Sequence, residues 1–170
     1  NKTETREYDG ANRLTKTINR INGQYLYTYD LTNNRTSITD AEGSITQYTF
    51  NAVGLNTEIE YPDHVNGSNP NQTGYGKIVF GYDAAFQLFS RTDQTGAVIE
   101  NIHDLAGRVY RRDYKASANT SVVDSDTMTF DRASRLLTGH KGRFNNTVTR
   151  AYDVAGRMTS ESLAIENQTY

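Results

Sequence analysis

"RAYDVAGRMTSES" (residues 150–162) decides how this chain is read, because "REYDGANRLTKT" (residues 6–17) has the same skeleton. Each places an aromatic–Asp pair before three small or turn-forming residues, then Arg, a long apolar residue and Thr. Aligning on that pair gives Tyr8-Asp9, Tyr29-Asp30, Phe50-Asn51, Tyr82-Asp83, His103-Asp104, Phe130-Asp131 and Tyr152-Asp153. Successive first members are 21, 21, 32, 21, 27 and 22 residues apart. The 32 and 27 are the common 21 with insertions, which the sequence places near residues 61–77 and 115–126. A fixed period of this length is the mark of a repeat architecture.

Every copy has the same internal order. An alternating segment leads into the pair, as in "QYLYTYD" (24–30), "ITQYTFN" (45–51), "KIVFGYD" (77–83), "DTMTFD" (126–131) and "TVTRAYD" (147–153). Residues two apart share one face of a strand, so Tyr25, Tyr27 and Tyr29 lie on one side, as do Ile78, Phe80 and Tyr82. The Asp or Asn that follows suits a turn, since its short side chain accepts hydrogen bonds from nearby backbone N–H groups. Gly54, Gly107 and Gly156, with Asn12 and Asn34 in similar places, suit a backbone position that needs positive φ. A second strand comes next, such as "RLTKTIN" (13–19), "RTSITD" (35–40) or "RVYRRDY" (108–114). Second turns are visible in "INGQ" (21–24), "DAEGS" (40–44) and "DQTGA" (93–97). The unit is strand, turn, strand, turn, and no sustained helical periodicity competes with it.

The expected fold is therefore all-β. Antiparallel strands joined as successive hairpins make one long twisted, curved sheet, a single array over residues 1–170, stabilised mainly between neighbouring repeats. Composition agrees with a polar, half-buried sheet: 12 Tyr against 6 Phe, no Trp, and a mean hydropathy of −0.74. With 18 basic and 20 acidic residues the net charge is −2, and no basic run offers a footprint for nucleic acid. No apolar run is long enough to span a membrane as a helix, and residues 1–10 contain no apolar stretch of the signal-peptide kind. Absence of Cys excludes disulfides, thiol catalysis and Cys-ligated metal.

The stretches "YDVAGRMTSES" (152–162), "YDGANRLTKT" (8–17), "HDLAGRVYRR" (103–112) and "FDRASRLLTG" (130–139) resemble the YD repeat of RHS proteins, Y-D-x-x-G-R-L-T. The resemblance extends over essentially the whole chain, with departures at Phe50-Asn51, at His103 and at Phe86, which takes the usual Gly position. The same unit occurs in bacterial wall-associated proteins, the C component of Tc toxins and teneurins. The resemblance implies a segment of a spiral β-shell whose cavity holds a C-terminal toxin or effector. Partners would be further YD repeats and that toxin, and the setting would be secretion or the bacterial cell surface. Family shells end in a plug with a D-P-x-G-L type motif. This chain has no Asp-Pro, so it reads as a slice of wall without plug or cargo.

Several residue sets invite chemistry. Asp9, Asp30, Asp83, Asp104, Asp131 and Asp153 could be carboxylate catalysts or Ca²⁺ ligands, but catalytic pairs are not stamped once per repeat. Turn capping explains all six. Asp40-x-x-Gly43 and Asp93-x-x-Gly96 lack the further ligands of a calcium loop. His64, His103 and His140 have no ligand or catalytic spacing. No cofactor, metal or catalytic residue is expected. Arg13, Arg35, Arg108, Arg135 and Arg157 recur with the repeat and are expected to pair with a neighbouring repeat's Asp or lie along a Tyr ring. Seven Asn-x-Ser/Thr sites (Asn1, Asn34, Asn66, Asn71, Asn119, Asn145, Asn167) would matter only in a glycosylating host. The alternative function is a surface module that binds carbohydrate through its Tyr-rich face.

Overall fold

The computed structural model describes residues 3–62 and 76–165. The expected 61–77 insertion, with His64, Asn66 and Asn71, falls largely on residues 63–75, outside the described set. Contacts divide the chain into two compact units. The first holds β1 (Thr5–Tyr8), β2 (Leu14–Ile18), β3 (Gln24–Tyr29), β4 (Arg35–Thr39), β5 (Ile45–Phe50), β6 (Asn56–Glu60) and most of β7 (Lys77–Tyr82). The second holds β8 (Leu88–Thr92), β9 (Val98–His103), β10 (Val109–Lys115), β11 (Val122–Phe130), β12 (Leu136–Lys141), β13 (Asn146–Tyr152) and β14 (Met158–Ile165), with a single 3₁₀ turn at Gly142–Phe144. Strand order in the sheet is the order in the chain, and the pairing is antiparallel.

Every aromatic–Asp/Asn pair closes a strand: Tyr8, Tyr29, Phe50, Tyr82, His103, Phe130 and Tyr152 are the last residues of β1, β3, β5, β7, β9, β11 and β13. The turn after them is a three-residue loop. In the first copy Asn12 N donates to Asp9 O at 2.9 Å, and Asp9 N donates to Arg13 O at 3.0 Å. Asn12 then sits at φ 60°, the left-handed residue that follows a type I turn in a bulged hairpin. The same position is Asn33, Gly54, Phe86, Gly107, Ser134 and Gly156 in the later copies, all at positive φ. Asn34 is not that residue. It lies one place further on, where the first copy has Arg13, and Arg35 is correspondingly displaced into β4.

The pairing register slips by one residue just before the aromatic. Tyr8 faces Leu14 but Glu7 faces Lys16, so Thr15 is the extra residue. Thr36, Thr57, Tyr110, Leu137 and Thr159 hold the same place in their hairpins. Such a bulge leaves a carbonyl poorly paired and increases local twist. Threonine repairs the first defect: Thr15 Oγ1 donates to Glu7 O at 3.3 Å, and Thr57 Oγ1 to Thr49 O at 3.2 Å. The Thr of the repeat is thus a bulge residue, a role that strand propensity alone does not suggest.

Residues 115–126 are not one protruding loop. β10 runs to Lys115 and β11 begins at Val122, and Ser125 and Asp126 pair with Asp113 and Arg112. Hydrogen-bonded strand backbone needs no water, so lengthening two paired strands absorbs most of an insertion that a loop would leave exposed.

Very little of the chain is buried. Among the described residues the buried side chains are Val98, Asp113 and Asp126. In β3 the exposure alternates, with Tyr25, Tyr27 and Tyr29 on the better-covered side and Leu26 on the open one. A sheet with so little apolar core has to draw its cohesion from contacts within its own plane. Phe86 gives a direct test, because it is 60% exposed and held at φ 62°. Phe86→Gly removes the left-handed penalty with little packing to lose. It should raise stability by about 0.5–1 kcal/mol in urea melts, less whatever glycine's unfolded-state freedom takes back.

Candidate functional site

The recurring turn is the site with the most developed geometry. Its centre is the Asp side chain. Asp9 Oδ1 accepts from Ala11 N and Arg13 N, both at 2.9 Å. Asp83, Asp104, Asp131 and Asp153 repeat both bonds at 2.8–3.0 Å. Asn51 makes the same pair at 3.1 and 3.0 Å, since one side-chain oxygen is enough. The second turns use the same device: Asn19 Oδ1 binds Ile21 N and Gly23 N, and Asp40 Oδ1 binds Glu42 N and Ser44 N. Asp93 Oδ1 accepts from Thr95 N at 2.8 Å. One capped turn therefore serves both ends of the repeat.

The other carboxylate oxygen holds the arginine. Arg13, Arg108, Arg135 and Arg157 donate Nε to Oδ2 of Asp9, Asp104, Asp131 and Asp153 at 2.6–2.7 Å. The ion pair is therefore made inside one turn, not with a neighbouring repeat's carboxylate. What reaches the neighbour is the far end of the guanidinium. Arg13 Nη1 donates to Asp30 O at 2.9 Å and to Asn33 Oδ1 at 3.0 Å, and its guanidinium carbon lies 4.9 Å from the centre of the Tyr29 ring. Arg108 does the same to Asp131 O at 2.9 Å, Ser134 Oγ at 3.3 Å and the Phe130 ring at 4.9 Å. Arg135 stacks on Tyr152 at 4.7 Å. Arg35, one residue out of step, instead lies 5.8 Å from both Tyr27 and Tyr48.

A return bond completes the lock. Tyr29 Oη donates to Leu14 O at 2.8 Å, and Tyr152 Oη to Leu136 O at 3.1 Å. Both carbonyls belong to the residue after the arginine of the preceding repeat. His103 cannot supply this hydroxyl. Asn101, two residues earlier on the same strand, donates Nδ2 to the equivalent Leu88 O at 3.1 Å. The arginine position also explains the glycines. A Cβ on Gly107 would collide with the Gln87 amide, and one on Gly156 would lie 3.1 Å from Arg135 Nη1. So the turn's left-handed residue is a close-approach point for the preceding repeat's long side chain, as well as a φ requirement.

Hydrogen bonds hold Asp9, Asp30, Asp104, Asp131 and Asp153 below the usual Asp range. For Asp9, Asp131 and Asp153 the leading cause is the backbone N–H of the following Arg, and for Asp104 it is the Arg108 side chain. For Asp30 the leading cause is the Asn34 side chain. Such groups are acceptors locked in place, not poised proton carriers. His140 Nδ1 lies 3.0 Å from Thr147 Oγ1, and His103 ends β9. Among the described residues no three His, Cys, Asp or Glu side chains come together as a metal site.

The second unit also holds an open concavity of about 650 Å³ lined by Tyr114, Asp124, Asp126, Lys141, Arg143 and Phe144, among others. Its buried carboxylate, Asp126, accepts from Tyr114 Oη at 2.8 Å, and burial raises the phenol's pKa. None of the repeat residues line it.

Interlocked, capped hairpins of this kind define a structural β-repeat module, with the turn as a joint. Residues 8–45, which carry the first two aromatic–Asp turns, match the family model described as RHS Repeat. Among solved structures, TcdB2-TccC3 without its hypervariable C-terminal region matches with TM-score 0.69 and 16% identity, over 98% of this chain and 9% of that one. A mutant Photorhabdus luminescens Tc holotoxin pore matches with TM-score 0.61 and 15% identity, over 98% of this chain and 10% of that one. These likenesses show the fold, and the chain spans about a tenth of either relative. A search of curated protein sequences found no match.

Two outcomes follow from the geometry. Arg108→Ala should cost about 1.5–3 kcal/mol, the scale of charge-assisted hydrogen bonds, whereas Arg157→Ala, on a side chain 82% exposed, should stay within about 0.5 kcal/mol. Urea melts of the pair check this. Asp9, Asp104, Asp131 and Asp153 have folded pKa values below their unfolded ones. Their contribution is therefore complete above about pH 4 and is lost as pH falls through the lower folded values. Urea midpoints measured from pH 6 downward should drop on the acid side, and less steeply in Asp104→Asn, which keeps the cap without the titration.

Proposed function

We propose that this chain is a non-catalytic wall segment of a larger, secreted or surface-borne RHS-type shell that encloses a C-terminal toxin or effector. The observation that carries the reading is the joint itself. Side chains that would be candidates for chemistry are used up in turn caps and in bonds to the next repeat. A sheet built this way extends by adding units, without needing a core or a partner layer. The likeness to TcdB2-TccC3 supports the role of shell wall, and the family supports the location. Lining residues of such a wall need only be polar and ordered, which fits a Tyr- and Thr-rich sheet.

The test uses the full-length polypeptide that contains this segment. Limited proteolysis should leave the region downstream of the repeats protected in the native protein. Arg108→Ala combined with Arg135→Ala, which loosens two joints, should shorten its protected lifetime at least about tenfold. Equal cleavage of that region with and without the substitutions would refute enclosure. Saturable binding of the 170-residue chain in a glycan titration would instead favour the carbohydrate-binding alternative.

A further inference from the structure

The concavity in the second unit draws on residues that the turn lock leaves out. Val123, Asp124 and Asp126 line it from β11, where the 21-residue period stretches to 27. Gly142 faces them: a Cβ there would collide with Asp124 Oδ1 and Ser125 O, so the 3₁₀ turn rests directly on β11. The extra residues of this repeat thus build a recess of about 650 Å³, within the size range of small-molecule sites. Asp126 is the group in it that lacks partners. It is 8% exposed, and its carboxylate has one hydrogen bond, from Tyr114 Oη, and no ion pair. Arg112 and Lys141 stand directly opposite it on the flanking strands, on the same face of the sheet. Arg112 donates instead to Asn101 Oδ1 at 3.1 Å, and Lys141 makes no ion pair among the described residues. A carboxylate can accept about four hydrogen bonds, and a buried one costs stability unless its charge is met.

Both signs of charge line the recess, Asp124 and Asp126 from β11 and Lys141 and Arg143 from the end of β12 and the turn after it. A cation by itself meets the two bases, and an anion by itself meets the two acids. A neutral ligand gives Asp126 a hydrogen bond without a countercharge. A ligand that carries an ammonium and a carboxylate satisfies both sides. In the same lining Phe144 and Val123 are 60% and 68% exposed, apolar surface that a ligand side chain can cover. A recess of this volume takes a drug-sized ligand, which is the size of a peptide of two or three residues. We infer that it binds a short zwitterionic peptide with an apolar side chain, the ammonium held by Asp126 and the carboxylate by Lys141, with Arg143 adding to the positive side.

Titration calorimetry of the full-length polypeptide that contains this segment tests this, with the dipeptide alanyl-phenylalanine as probe. The wild type should bind it saturably, with a Kd of about 1 mM or tighter. The same dipeptide acetylated at its amine, or amidated at its carboxylate, should bind at least about tenfold more weakly. Asp126→Asn, which keeps an acceptor for Tyr114, and Lys141→Glu should each weaken the free dipeptide at least about tenfold, while Lys141→Arg should retain it. Circular dichroism checks that the variants fold, and Lys141→Glu, on an exposed side chain, stands alone if Asp126→Asn does not. A wild type with no saturable isotherm up to about 10 mM dipeptide overturns the inference. So does equal affinity for the blocked dipeptides, or a folded Lys141→Glu variant that binds as the wild type does. A saturable glucose isotherm that Asp126→Asn abolishes overturns it in favour of a neutral sugar. None of these outcomes bears on protection of a downstream region, so the wall reading and this inference fail separately.

Discussion

The repeat is built on one side-chain oxygen that caps each turn, joined in four copies by a second that holds an arginine. The first ties down two backbone N–H groups that a three-residue hairpin loop would otherwise leave to water, and so fixes the turn. The second grips the arginine four residues on and aims its remaining donors at the next turn. An exposed ion pair contributes little by itself. Here its effect is geometric, because the carboxylate removes the rotamer freedom that Arg would otherwise lose on reaching the neighbouring carbonyl and ring. Local closure of one turn thereby becomes the means of attaching the following one.

That arrangement suits a sheet with almost no interior. An ordinary domain spends its apolar side chains on a core between layers. This chain buries a single apolar side chain among the described residues, Val98, and relies on ladders, bulge threonines, arginine–aromatic stacks and the Tyr Oη–carbonyl return bond. Each of these is modest, and each recurs. Substitutions at the motif show which part is indispensable. Asn replaces Asp in the cap, Asn34 replaces Arg as the partner of the second Asp oxygen, and Gln87 replaces Arg as the side chain that comes close to the next turn. Where His103 lacks a hydroxyl, Asn101 caps the carbonyl from two residues away. The bonds survive changes of residue, which is how a structural repeat can diverge without losing its fold.

Much of this was legible in the sequence because it is written in local, periodic features. The two-residue alternation in "QYLYTYD" specifies a strand, the Asp specifies a turn, and the near-constant spacing specifies that the unit recurs. The aromatic–Asp pairs could be placed at strand ends without coordinates. The threonine after the turn was also visible in the repeat, but its role was not, since a bulge is a property of two paired strands.

What the tertiary structure decided lies in register and reach. A one-residue slip separates Asn33 from Asn34, and only backbone φ shows which one takes the left-handed position. The fate of residues 115–126 turned on whether their backbone found partners, and Ser125 and Asp126 did. Arginine's carboxylate lies within its own turn while its other donors cross to the next, a division set by side-chain length and the spacing of adjacent hairpins. The sequence by itself determined the unit, because strand and turn preferences act over a few residues. The joint between units was settled only by folding, because it joins residues 13–26 positions apart whose distance no local preference encodes.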